Sequence, residues 1–164
     1  MTALGVEPSK ALGQNFLHDR GIVRRIAEAA GIEPGETVLE IGPGLGILTE
    51  ELAARAGRVV AVELDRRLAA HLPDVMPANV EIVEGDALTL DLAGLAGPRY
   101  SVVANLPYSV GTAIVRRLQE ADPPPRALTV MVQREVAERM TAAPPQISLL
   151  GVAVQFYGRP RVLF

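Results

Sequence analysis

Short aliphatic and β-branched runs recur along this chain with helical patterns between them, and that alternation constrains its fold more than any other feature. Such predominantly apolar runs read as strands buried on both faces, the pattern of a parallel sheet covered by helices on either side. Strands are predicted near residues 37–41, 58–63, 80–84, 100–104, 127–132 and 149–156. Helices fill the gaps at 21–30, 45–56, 110–120 and 134–140. Asp19 is a candidate cap for the first, with Ile22, Ile26 and Ala30 on one face, and Ser109 for the third, with Val110, Ile114 and Leu118 on one stripe before Pro123-Pro124-Pro125 stops it. The prediction is one α/β domain over residues 1–164, Rossmann-like, with a mostly parallel sheet. Val162-Leu163-Phe164 reads as the opening of another strand, so the chain is expected to be a piece of a longer one.

At 164 residues, 49% hydrophobic and 21% charged, the chain can bury a sizeable core. No apolar run approaches the ~18–20 residues that span a bilayer, and residues 1–10 lack the basic start and apolar core of a secretory signal. A cytoplasmic protein with no membrane partner is expected. Cysteine is absent, which removes disulfides, a thiolate nucleophile, methyl transfer through a cysteine adduct, Cys-bound zinc and Cys-held iron–sulfur clusters. His18 and His71 are far apart and outside any ligand spacing; each reads as a cap or surface residue, and no metal is predicted. A net charge of −3 argues against a broadly basic surface, although 15 of the 16 cations are Arg. Solvated helix faces explain the pairs Arg24-Arg25, Arg66-Arg67 and Arg116-Arg117 more simply than a phosphate track does.

Chemistry-bearing residues gather where the predicted strands end. Glu40-Ile41-Gly42-Pro43-Gly44-Leu45-Gly46 joins the first strand to a helix; glycines there let the backbone approach a ligand and leave helix N–H groups free. The spacing is G-x-G-x-G, and Ile47 stands where a dinucleotide fingerprint needs glycine. Glu63 closes the second strand, placed to accept hydrogen bonds from two ribose hydroxyls, as nicotinamide dinucleotides and S-adenosylmethionine both require. Asp86, after the third strand, reads either as an acceptor for an adenine amine or as an Asx turn, and Asp65 as a helix cap.

Asn105-Leu106-Pro107-Tyr108 follows Val102-Val103-Ala104. The Asn105 amide oxygen and the Leu106 carbonyl, the latter aimed by Pro107, are two acceptors for the two hydrogens of an amino group, and Tyr108 offers a face for a stacked base. The plainer reading is a proline-containing strand-to-helix turn with a half-buried Tyr.

These motifs, with Leu12-Gly13-Gln14-Asn15-Phe16-Leu17, Val62-Glu63-Leu64-Asp65, Gly85-Asp86-Ala87 and Gln133-Arg134-Glu135-Val136-Ala137-Glu138-Arg139, resemble the KsgA family of small-subunit rRNA adenine dimethyltransferases over essentially the whole chain. The resemblance implies a class I methyltransferase fold that uses S-adenosyl-L-methionine and releases S-adenosyl-L-homocysteine. It implies dimethylation of N6 on two adjacent adenosines near the 3′ end of 16S rRNA in the pre-30S particle, by a monomer. By the same likeness Asn15 and Leu17 would contact the methionine part of the cofactor, Gly42 and Gly44 its floor, Glu63 the ribose and Asp86 the adenine. Asn105 would face cofactor and base, and residues 1–18 would cover the site. Family members carry a longer loop where this chain has Ala142-Ala143-Pro144-Pro145-Gln146, and continue into a helical domain that these 164 residues are not expected to contain.

An adenine N6 lone pair is delocalised into the ring, and hydrogen bonds to both its N–H groups favour a more nucleophilic, tetrahedral nitrogen. The donor methyl is already activated, so positioning in a dry pocket matters more than a general base, and no catalytic histidine is needed. The base must leave its stack, which favours single-stranded or loop nucleotides. Three other readings compete: a large-subunit rRNA methyltransferase of the antibiotic-resistance type, a non-catalytic RNA-binding assembly factor, and an NAD-dependent dehydrogenase, the last weakened by Ile47.

Overall fold

The computed structural model describes Leu17 and residues 19–164. Five strands, β1 (Thr37–Ile41), β2 (Arg58–Glu63), β3 (Val80–Glu84), β4 (Tyr100–Asn105) and β5 (Leu128–Met131), form one sheet in the order β3-β2-β1-β4-β5. Every pairing is parallel. The crossovers run through α2 (Ile47–Ala53), α3 (Arg66–His71), α4 (Leu92–Ala96) and α5 (Gly111–Gln119); α1 (Arg20–Ala29) precedes β1, and α6 (Arg134–Thr141) and α7 (Leu149–Tyr157) follow β5.

The two-residue period of a strand sorts its side chains into two cores. Val38, Val59, Ala61 and Val103 pack with Val23, Ile26, Leu48 and Leu52 of α1 and α2 on one face. Leu39, Val60, Val62 and Val102 pack with Leu92 of α4 and Ile114 and Leu118 of α5 on the other. Burial on both faces is why β2 and β4 carry unbroken aliphatic runs, and why Glu40 in the same setting on β1 stands out.

Local signals set most helix ends. Asp19 caps α1 by accepting from Gly21 N at 2.7 Å and Ile22 N at 3.2 Å, and Asp65 caps α3 through Arg67 N at 2.9 Å. α2 is shorter than predicted because Gly46, at φ +80°, is still in a left-handed turn, so the helix opens at Ile47. Ser109 does not cap α5: Val110 holds that position, and the Pro107 carbonyl accepts from Gly111 N at 2.9 Å, so the backbone of the proline turn supplies the acceptor instead.

Two predictions fail at the C-terminal end. Residues 149–156, predicted as a strand, form helix α7. Ser148 Oγ accepts from Gly151 N at 3.2 Å to start it, Gly151 and Val154 are buried, and Gln155 Nε2 ties it back to the Met140 and Ala142 carbonyls at 3.0 and 2.9 Å. A short apolar run is compatible with either element, and here the cap and the packing against α5 and α6 decide. Val162-Leu163-Phe164 opens no strand; instead the Arg25 guanidinium sits 4.2 Å from the Phe164 ring centroid. Among the described residues no helix is long and apolar enough to cross a membrane.

After β3 the chain passes to the far side of β1, so the connections leaving β1 and β4 diverge. Ligands in open α/β sheets bind outside the carboxyl ends of strands at such a reversal of order. Ile41 is in register with Ala104, which brings the next residues, Gly42 and Asn105, side by side at that point.

Candidate active site

The turn after β1 is built on three glycines with positive φ: Gly42 at +71°, Gly44 at +59° and Gly46 at +80°. Only glycine occupies this region without strain, so the turn can fold flat against the strand ends. A side chain on Gly42 would point toward the Asn105 carbonyl, 4.0 Å from a Cβ placed there. The space left empty between them is part of a cleft of ≈ 340 Å³ lined by Leu17, Glu40, Gly42, Pro43, Gly44, Leu45, Ile47, Leu48 and Asn105.

Glu63 braces this turn from beneath. Its side chain is 4% exposed; Oε2 accepts from Gly44 N at 3.0 Å and Oε1 from Asp65 N at 2.8 Å. Burial raises its pKa, and the two backbone N–H groups oppose that rise. Each oxygen keeps a further lone-pair direction, so the carboxylate can accept from a ligand without releasing the turn. One strand further out, Gly85 N donates to the Glu63 carbonyl at 2.9 Å and hands the chain to Asp86. The Asx turn is present: Asp86 Oδ1 accepts from Leu88 N at 2.8 Å. That leaves Oδ2 for a ligand amine, so the two readings of Asp86 are compatible.

Glu40 is the residue that the sequence reading passed over. It lies in the middle of an aliphatic strand, 1% exposed, between Ala61 and Val103 on the neighbouring strands. Burial pushes its carboxyl up to about 8; the adjacent Thr49 hydroxyl works against the rise, and the Glu63 charge adds to it. Thr49 completes no well-formed hydrogen bond, and among the described residues Glu40 Oε2 and Thr49 Oγ have no partner. A charged residue interrupting the run Thr37–Ile41 was the available signal. Leu64 was also missed: it stands 53% exposed directly after Glu63, an apolar platform beside the ribose-type carboxylate.

Asn105 ends β4 half-buried, on the wall of the cleft. Leu106 turns its side chain into the core at 2% exposed, and its N–H donates to the Met131 carbonyl at 3.2 Å, which locks that peptide to β5. Pro107 is half-buried, and Tyr108 is 54% exposed with its ring available to a ligand from solvent.

The cleft thus unites Leu17, Gly42, Gly44 and Asn105. Glu63 joins it through Gly44, Asp86 lies a strand away on the same edge, and Leu106, Pro107 and Tyr108 continue outward from Asn105. Asn15 and His18 lie outside the described residues. Within the arginine pairs, Arg67 binds Asp65 at 3.0 Å, Arg116 binds Glu120 at 2.8 Å, Arg117 binds the Leu90 carbonyl at 2.6 Å, and Arg25 lies over the Phe164 ring.

This donor set fits a nucleoside ligand bearing a cationic tail. It offers a carboxylate at the end of β2, a side-chain-free turn over β1, and a buried carboxyl short of a donor beneath the part of the cleft next to Asn105.

Comparison with known proteins gives concordant results. The family described as ribosomal RNA adenine dimethylase matches residues 7–163. A ribosomal RNA small subunit methyltransferase A from Moorella thermoacetica is 49% identical, over 97% of this chain and 60% of that protein. Its counterpart from Deinococcus radiodurans is 48% identical, over 96% and 54% respectively. Among solved structures, the 23S rRNA methyltransferase ErmE superposes with a TM-score of 0.72 at 40% identity, covering 77% of this chain and 51% of its own. A dimethyladenosine transferase from Plasmodium falciparum superposes with a TM-score of 0.73 at 31% identity, covering 86% and 52%. The chain therefore spans a little over half the length of the curated relatives it matches.

Proposed function

The chain belongs to the ribosomal RNA adenine dimethylase family, and from that premise we propose that it methylates adenine N6 in small-subunit rRNA, using S-adenosyl-L-methionine. The substrate in this reading is a pair of adjacent adenosines near the 3′ end of 16S rRNA, presented by the pre-30S particle in the cytoplasm to a monomer. The observation that carries it is the placement of Gly42 and Asn105 side by side at the reversal of strand order, with Glu63 bound to the same turn.

Glu63 would take the ribose hydroxyls, Asp86 Oδ2 the adenine amine, and Leu64 would lie against the adenine ring. Gly42 and Gly44 would floor the cleft, with Leu17 and Asn15 against the methionine half. The cofactor supplies a methyl group already activated for transfer. Asn105 Oδ1 and the Leu106 carbonyl would accept from the two N–H groups of the target amine, which turns its lone pair out of conjugation and toward the cleft. The hydrogen bond from Leu106 N–H to the Met131 carbonyl fixes the Asn105–Leu106 peptide between the two acceptors, which supports that preorganisation. Tyr108, exposed beside them, would stack on the splayed base. The nitrogen becomes strongly acidic as it gains carbon, and its proton can pass to water, so no histidine has to stand at Asn105.

The likeness to ErmE supports a second reading, methylation of large-subunit adenines. The small-subunit relatives match this chain at higher identity over more of its length, which favours the first. The test is transfer of labelled methyl from S-adenosyl-L-methionine to undermethylated small and large ribosomal subunits, followed by mapping of the modified adenines. Label confined to small-subunit adenines is expected; label in large-subunit adenines overturns the substrate, and label in neither overturns the activity.

A further inference from the structure

Glu40 occupies a position whose neighbours would suit an aliphatic side chain. It follows Val38 on the face of β1 covered by α1 and α2, with Ala61 and Val103 on either side. Val38, Ala61 and Val103 offer no side-chain donor, the nearby Thr49 hydroxyl of α2 only partly offsets the burial, and among the described residues Oε2 is left without a completed hydrogen bond. Of the charged residues of the covering helices, Arg20, Arg24, Arg25 and Glu28 on α1 and Glu50 on α2 lie on exposed positions, and the half-buried Glu51 of α2 is paired with Arg55. The charge that Glu40 does feel is that of Glu63, of like sign, on β2. Asp65 stands beyond Glu63, already paired with Arg67. A carboxylate so placed has no counter-charge, and burying an unpaired charge is among the costliest arrangements in a protein interior. A neutral carboxyl is the form this site can hold when no cation is near.

Yet Glu40 also lines the cleft, together with Asn105 and the glycine turn. On the proposed reading, on which this inference rests, the ribose and adenine fall over β2 and β3 beside Glu63 and Asp86. The methionine half then falls over β1 and β4, above Glu40, and that half carries an ammonium and, in the methyl donor, a sulfonium. We propose that Glu40 is the buried counter-charge for the cationic half of the cofactor, protonated in the free cleft and ionised when that half enters, so that cofactor binding expels a proton. The upward displacement of the Glu40 carboxyl to about 8 accords with this: at pH 7 about nine-tenths of it is protonated before binding. Such a residue discriminates between ligands. A nucleoside without the amino-acid tail leaves Glu40 neutral and gains nothing from it.

The test is isothermal titration of the full chain with S-adenosylhomocysteine, which carries the ammonium, and with methylthioadenosine, which carries neither charge. Phosphate and Tris at pH 7, which differ in ionisation enthalpy, report the protons exchanged. Wild type should release about nine-tenths of a proton with S-adenosylhomocysteine and close to none with methylthioadenosine. Glu40→Gln should bind methylthioadenosine as wild type does, which reports an intact cleft, and release no proton with S-adenosylhomocysteine. Should that variant fail to fold, wild type alone decides. Its affinity for S-adenosylhomocysteine should weaken by about fifteenfold from pH 8 to 6.5, with that for methylthioadenosine flat. Tight binding of S-adenosylhomocysteine with no proton release, or the same release in Glu40→Gln, overturns the inference and leaves the cofactor reading standing. Binding of neither ligand overturns that reading and the inference with it.

Discussion

Replacing Glu36 by Gln should destabilise this domain strongly at neutral pH and weakly in acid. Glu36 sits just before β1 at the edge of the sheet away from the cleft, its side chain almost wholly buried. Its carboxylate accepts from Arg126 Nε at 2.7 Å and Nη2 at 2.8 Å, from Ser101 Oγ at 2.6 Å and from Glu33 N at 2.9 Å. These contacts, led by the Arg126 hydrogen bonds and opposed by burial, hold its carboxyl down at about 2 against an ordinary 4.5. At 1.36 kcal/mol per pH unit, that gap makes the charged form worth about 3 kcal/mol at pH 7. Arg126 is about one-third exposed, so solvent screening trims this to about 2–3 kcal/mol. Because the folded value lies below the unfolded one, the contribution is complete above about pH 5 and is lost as the pH falls through 4.5 toward 2, with about 1 kcal/mol left at pH 3. Urea unfolding of wild type and Glu36→Gln at pH 7 and pH 3 measures both ends. A loss of about 2–3 kcal/mol at pH 7 that shrinks to about 1 at pH 3 is expected. An equal loss at both would show that shape and hydrogen bonding at this position matter and its charge does not.

Three further outcomes probe the cleft and its frame. Asn105→Ala should lower turnover by on the order of 10²–10³ while largely sparing cofactor affinity, as loss of one preorganised polar contact does, and wild-type turnover would remove the amine-orienting role. Tyr108→Ala should weaken RNA binding by ~1–3 kcal/mol, measured as a change in KM, with Tyr108→Phe close to wild type; equal losses would assign the role to the hydroxyl. Gly42→Ala and Gly57→Ala should both destabilise, for different reasons that calorimetry and cofactor titration separate. At Gly42 the left-handed backbone costs ~1–2 kcal/mol and the new methyl enters the cleft, so affinity falls as well. At Gly57 a Cβ would lie 2.7 Å from the Gly35 carbonyl oxygen, far from the cleft, so stability falls and affinity does not.

What could be read from the chain alone follows from how far each determinant reaches along it. The strands are legible because burial on both faces writes an aliphatic run into consecutive residues, and the sheet-edge groups are legible because each directly follows such a run. Asp19 and Asp65 declare their helices by their own position. Glu36 declares nothing, since the groups that hold it lie 65 and 90 residues away, on β4 and just ahead of β5. Residues 149–156 mislead because an apolar stretch of that length carries no period of its own; a serine cap and the backs of α5 and α6 choose its geometry. Ser109 misleads in the opposite sense, a correct cap residue made redundant by the carbonyl of Pro107.

Glu40 is the instructive case, because its local signal was present and pointed the wrong way. Although it falls within the predicted strand, next to Gly42-Pro43-Gly44 an acidic residue looks like the start of a polar turn, and strand register shows which face it buries. Ile41 pairs with Val62 and Ala104, so Gly42 is the first residue beyond the sheet, and Glu40 is one of the last residues within it. A slip of one residue in either pairing would turn Glu40 to the opposite face and take its carboxyl from under the cleft. The same register that sets Gly42 beside Asn105 therefore sets a buried acid beneath them. A substitution that loosens the β1–β4 pairing should accordingly disturb amine orientation and proton release together.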